Sequence, residues 1–145
     1  MALRITIEII SFLFVLLFLY AAFSKLVDYE TFTIQINQSP LLTGLGGIVP
    51  WLVIGIEIIV SGLLLLSKTR ILGFYLSYCL MMSFTVYIIV ILNFSPYTPC
   101  SCGGVLQQLG WAQHLIFNAS FLLLALIGIF LESIHRSSTK HIMPN

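Results

Sequence analysis

The chain has 145 residues, 59% of them hydrophobic and 8% charged, and a mean hydropathy of +1.09, beyond what a soluble domain with a solvated surface carries. A formal net charge of +1 leaves no basic footprint for nucleic acid. Composition therefore predicts an integral membrane protein in contact with lipid, with no room for a separate soluble catalytic domain.

A helix needs ~20 apolar residues to cross the hydrocarbon core. Four stretches qualify, at about 5–25, 48–66, 71–93 and 111–133. They predict an all-α, integral membrane four-helix bundle forming a single domain over residues 1–134, with a polar, frayed cytoplasmic tail over 135–145. Arg4 precedes the first span, Lys68 and Arg70 join the second and third, and Arg136 and Lys140 follow the fourth. The positive-inside rule places these segments, and both termini, in the cytoplasm. The other two connections should face outward: one carries Lys25, offset by Asp28 and Glu30, and the other, residues 94–110, carries no charge. In a bacterium this is the inner membrane with a periplasmic loop at 94–110. The first span also imitates a secretory signal, with Arg4, an apolar run and Ala21-Ala22. Its length, Glu8 near its start and the Ser24-Lys25-Leu26-Val27-Asp28 ending favour a retained helix.

Between the first two spans, Phe32, Ile34 and Ile36 alternate with polar residues in a strand-like pattern. A lone strand would lack a partner. Asp28 as an N-cap, Phe32 and Ile36 on one face and Pro40 as a stop predict instead a short helix on the outer surface. Gly44, Gly46 and Gly47 break the chain before Pro50, which suits the first turn of span two because its missing N–H would be unpaired there. Residues 67–70 allow only a tight turn, so spans two and three form an antiparallel hairpin. After span three, Pro96 and Pro99 hold the backbone extended and Gly103-Gly104 let it turn. Gly110, with Gln113 three residues on, forms an incomplete capping box for span four.

That uncharged loop holds Cys100-Ser101-Cys102 on the expected oxidising side. A Cys-x-Cys disulfide needs a turn to bring its Cα atoms into range, and a tight, exposed bridge is of the labile, exchanging kind. It closes almost no chain, so its entropic value to folding is small. Cys100 and Cys102 are accordingly the candidate catalytic residues for disulfide exchange. Two blander readings stand beside this one: free thiols that pack in the loop, and a static disulfide that stiffens it. Metal delivery is a weaker third, since His114 is the one further soft or borderline ligand nearby and four zinc ligands cannot be assembled. No metal is assigned. Cys79 falls ~21 Å below the outer end of span three by helical rise and is expected to be a small buried hydrophobe.

Gln107, Trp111, His114 and Asn118 recur at helical spacing, giving span four a polar face where it enters the membrane. Counting helical rise from Trp51 and Trp111 puts Glu57 ~9 Å and Asn118 ~10.5 Å deep, with Tyr87 and Tyr20 at similar depth. An ionisable residue inside a span normally faces the bundle interior with a partner. Glu57, His114 and Asn118 are therefore expected to line a cavity under the Cys loop, where His114 favours a thiolate and the others bond a quinone headgroup. The competing reading of Glu57 is a protonated carboxyl joining helices, and that of His114 an interfacial residue at the headgroups.

Phe23-Ser24-Lys25-Leu26-Val27-Asp28, Glu57 followed by Gly62 and a Leu run, Pro99-Cys100-Ser101-Cys102-Gly103-Gly104, and Trp111-Ala112-Gln113-His114-Leu115-Ile116-Phe117-Asn118 resemble the MauE/DoxX-like redox-associated membrane proteins. The resemblance covers essentially the whole chain and implies a four-helix membrane bundle. Its MauE branch implies a role in maturing a disulfide-rich periplasmic subunit of methylamine dehydrogenase, with a thioredoxin-like partner. Its DoxX branch implies a small subunit of a quinone-linked oxidoreductase. Unlike the DsbB and vitamin K epoxide reductase types, this chain has one outer cysteine pair, so it would exchange directly with a thioredoxin-like or maturing periplasmic protein. The alternative is a noncatalytic assembly or accessory subunit with a structural Cys loop.

Overall fold

The computed structural model describes residues 2–39, 42, 44–94 and 110–142. These form five helices: α1 (Ala2–Val27), α2 (Tyr29–Gln38), α3 (Val49–Leu65), α4 (Arg70–Phe94) and α5 (Trp111–Ile142). Among the described residues there is no strand. α1 lies along α3, α3 along α4, α4 along α5, and α5 returns to α1.

The reason these helices pack is written in their spacing. Buried or half-buried positions follow a 4–3 rhythm on each: Phe14, Phe18, Ala21 and Lys25 on α1; Pro50, Ile54, Glu57, Ser61 and Leu64 on α3; Phe74, Ser77, Met81 and Ile88 on α4; His114, Asn118, Phe121, Ala125, Gly128 and Glu132 on α5. Such a rhythm is the seam of helices crossing at a shallow angle. The opposite faces carry Ile9, Phe12, Leu16, Ile59, Leu123 and Phe130, large apolar side chains left exposed. An apolar exterior of this kind suits lipid, not water. Leu3–Val27, Arg70–Val90 and Ala112–Ser138 are long and apolar enough to cross a membrane. α3, with 17 residues, is apolar but shorter, ~25 Å by helical rise. The protein is thus an all-α membrane protein.

At the centre, the Phe14 ring meets Phe74 edge-on at 6.3 Å and Phe121 at 5.3 Å, and stacks with Phe18 at 5.9 Å. α5 comes close because Gly128 has no side chain: a Cβ there would stand 2.7–2.9 Å from the Phe74 ring. Ser11 Oγ donates to Leu64 O at 2.8 Å, fastening α1 to α3 inside the core.

Toward the other termini, Arg136 donates through Nη2 to the Ser67 and Lys68 carbonyls at 2.9 and 2.8 Å, and through Nε to Glu132 Oε1 at 3.1 Å. This clamp ties α5 to the α3–α4 turn. The stretch from His135, expected to be frayed, continues as helix to Ile142.

The segment after α1 is helical as the capping argument requires, with Phe32 and Ile36 buried, although Asp28 makes no side-chain cap bond. α2 stops where the Ser39 N–H donates back to the Gln35 and Ile36 carbonyls. Pro40, the expected stop, lies outside the described residues. The chain turns at Gly44, whose φ of +84° suits glycine. Gly46 N–H then donates to Asn37 Oδ1 at 3.1 Å, holding α2 against the start of α3. Pro50 sits in the first turn of α3. Gly110 precedes α5 with its N–H donating to Gln113 Oε1 at 3.0 Å, the half of a capping box that glycine permits.

Candidate functional site

Glu57 stands midway along α3 with no exposure to solvent. Its Oε1 accepts a 2.7 Å bond from Lys25 Nζ, two helical turns' worth of seam away from Phe18 on α1. Lys25 is 5% exposed. Its ammonium also donates to Ala21 O at 3.3 Å and lies 5.9 Å from the Phe32 ring centroid and 5.7 Å from that of Phe84. Ring faces attract cations electrostatically, so α2 and α4 complete the enclosure of the ammonium. Lys25 near the carboxyl end of α1 also complements the negative end of the helix dipole.

This corrects the expectation that Lys25 is an outer-connection charge offset by Asp28 and Glu30. Both acids are exposed, and Lys25 is inside. Sequence reasoning missed it by treating a cation near a span end as loop. The signal was present: Lys25 continues the Phe14, Phe18, Ala21 stripe at helical spacing.

The ion pair forms one wall of a cavity of about 270 Å³. His114 and Asn118, one turn apart on α5, face it together with Tyr87 of α4, and apolar side chains from all five helices complete the lining. The structure therefore brings Glu57, His114 and Asn118 around one space. Tyr20, expected at the same depth, is 41% exposed and is not among the lining residues. Three polar atoms of the lining are buried without a hydrogen-bond partner among the described residues: Glu57 Oε2, Tyr87 OH and Asn118 Nδ2. A buried polar atom left unbonded costs ~1–3 kcal/mol.

Cys100, Cys102 and Gln107 lie outside the described residues. The ends that flank their segment are α4 at Phe94 and α5 at Trp111, and the cavity residues Tyr87 and His114 sit two turns and one turn from those ends. Cys79, expected to be buried, is exposed. Ser77 and Met81 occupy the inward seam of α4, so residue 79 points outward. No cluster of three or more metal-ligating side chains occurs among the described residues.

These features define an all-α membrane protein with an apolar cavity walled on one side by a buried ion pair. The profile of methylamine utilisation protein MauE matches residues 3–131, and the chain belongs to that family. No curated protein and no solved structure matches the chain.

Proposed function

We propose that this chain is a four-span bundle of the bacterial inner membrane whose periplasmic Cys100–Cys102 pair exchanges disulfides with a thioredoxin-like or maturing protein serving methylamine utilisation. α3 would be the fourth span. It packs between α1 and α4, and the deficit in its length is a mismatch a bilayer accommodates at modest cost. The positions of Arg4, Lys68, Arg70, Arg136 and Lys140 support cytoplasmic termini.

The observation that carries the reading is the location of the buried polar groups. Glu57, Tyr87, His114 and Asn118 line one cavity, with Tyr87, His114 and Asn118 within two turns of the ends of α4 and α5 that the cysteine segment joins. The chemistry is a reversible thiol–disulfide exchange. A thiolate of one partner attacks the disulfide of the other, a mixed disulfide forms, and the second thiolate of the attacking pair resolves it. One dithiol is oxidised and one disulfide reduced, so two electrons pass and no atom is lost. A membrane quinone is the other electron partner in this scheme.

With Cys102→Ser, an exchanging Cys100 should accumulate covalent adducts with a periplasmic protein, released by reductant and identified by mass spectrometry. Cys100→Ser tests the converse trap. If neither variant captures anything under oxidising conditions, the pair only shapes a docking loop and the exchange reading is wrong.

A further inference from the structure

The cavity has a defined polar pattern that the described residues leave unanswered. Glu57 Oε2 is an acceptor, Asn118 Nδ2 is a donor, and Tyr87 OH can be either. Glu57 and Asn118 are both buried, at 0% and 3% exposure. Lys25 does not meet this need, because its ammonium is engaged by Glu57 Oε1, Ala21 O and two ring faces. It holds Oε1, and Oε2 is left without a partner among the described residues.

The rest of the lining is apolar and aromatic, including Phe18, Phe32, Phe84 and Phe117. A ligand for this space is therefore lipophilic, suited to packing against aromatic rings, and carries polar atoms that both give and receive hydrogen bonds. At about 270 Å³ the cavity is close to the ~300 Å³ at which pockets begin to take drug-sized molecules, which is room for a ring system.

We propose that this cavity binds the ring of a lipid-soluble quinone and its quinol. Tyr87 and Asn118 donate to a ring oxygen, and Glu57 Oε2 accepts from a ring hydroxyl when the ligand is reduced. For its purpose the site rests on the exchange function proposed above, since reduction of one quinone by two electrons and two protons balances oxidation of one dithiol to a disulfide. Binding itself requires no cysteine.

The test is equilibrium binding of tritiated decylubiquinone and tritiated menadione, each oxidised and reduced, to the full-length protein in phospholipid nanodiscs. Saturable binding of at least one, at one ring per chain, is expected. Tyr87→Phe removes a hydroxyl that bonds to nothing among the described residues, so it leaves the fold intact and should weaken binding five- to tenfold. Asn118→Leu should act in the same direction. Glu57→Gln keeps a carbonyl for Lys25 but presents an N–H₂ donor where Oε2 stood. It should therefore shift the quinol-to-quinone affinity ratio at least tenfold toward the quinone, which a merely structural carboxyl would not do. Absence of saturable binding by either ring, or affinities unmoved by Tyr87→Phe, overturns the site. A protein that traps partners through Cys100 yet binds no ring would refute this inference alone. One that binds the ring with Cys100 and Cys102 both changed to Ser, yet never traps, would refute the exchange reading alone.

Discussion

Removing the Lys25 ammonium by Lys25→Met should be among the most damaging single changes in the protein. It takes from Glu57 the side-chain partner held at 2.7 Å and leaves a fully buried carboxyl with both oxygens unbonded among the described residues. Breaking a buried pair from one side costs ~3–5 kcal/mol, because the remaining group keeps its desolvation penalty and loses its compensation. The reverse change, Glu57→Leu, should cost less. Lys25 is two residues from the end of α1 and its long stem can carry the ammonium toward the interface, whereas Glu57 has no such exit from the middle of α3. The double variant Lys25→Met/Glu57→Leu should recover most of the loss, since apolar replacement of a buried pair is near neutral. Reversible unfolding of the purified protein in mixed micelles, run as a double-mutant cycle, measures all four states. The reasoning fails if Lys25→Met is as stable as the parent, or if the double variant is no more stable than Lys25→Met.

Gly128→Ala should destabilise by ~1–3 kcal/mol in the same assay, since its methyl group would overlap the Phe74 ring, itself fixed by Phe14. Gly62→Ala, with open space around its Cβ, should be neutral or slightly stabilising. Ser11→Ala should cost ~1 kcal/mol by removing the shorter of the two side-chain bonds to the Leu64 carbonyl, which then keeps Arg70 Nε at 3.4 Å, without altering ring binding. In intact cells, a membrane-impermeant maleimide should label Cys100 and Cys102 after mild reduction, whereas Lys68→Cys should react only once the membrane is opened. Labelling of Lys68→Cys from outside would invert the topology.

How much of this was legible beforehand depends on the range of the interaction. Helix positions, the short helix after α1, the Pro50 start and the Gly110–Gln113 half-cap follow from hydropathy, capping chemistry and spacing over a few residues. The gathering of Glu57, His114 and Asn118 around one space could be anticipated from depth, because helical rise converts residue count into distance. Distance from the span ends predicts the opposite of the observed burial of Lys25 and exposure of Cys79. Depth does not say which way a helix is rotated, and a 4–3 stripe had to be followed through α1 and α4 to see it.

The sequence alone determined that the chain is helical and belongs in lipid, because an apolar run of sufficient length has no other stable arrangement once its backbone must satisfy its own hydrogen bonds. Only the tertiary structure decided that a lysine and a glutamate 32 residues apart meet, and that three polar atoms from α3, α4 and α5 are left facing one cavity. Those outcomes depend on how the seams of separate helices register against one another, and a hydrogen bond of 2.7 Å tolerates no error in that register.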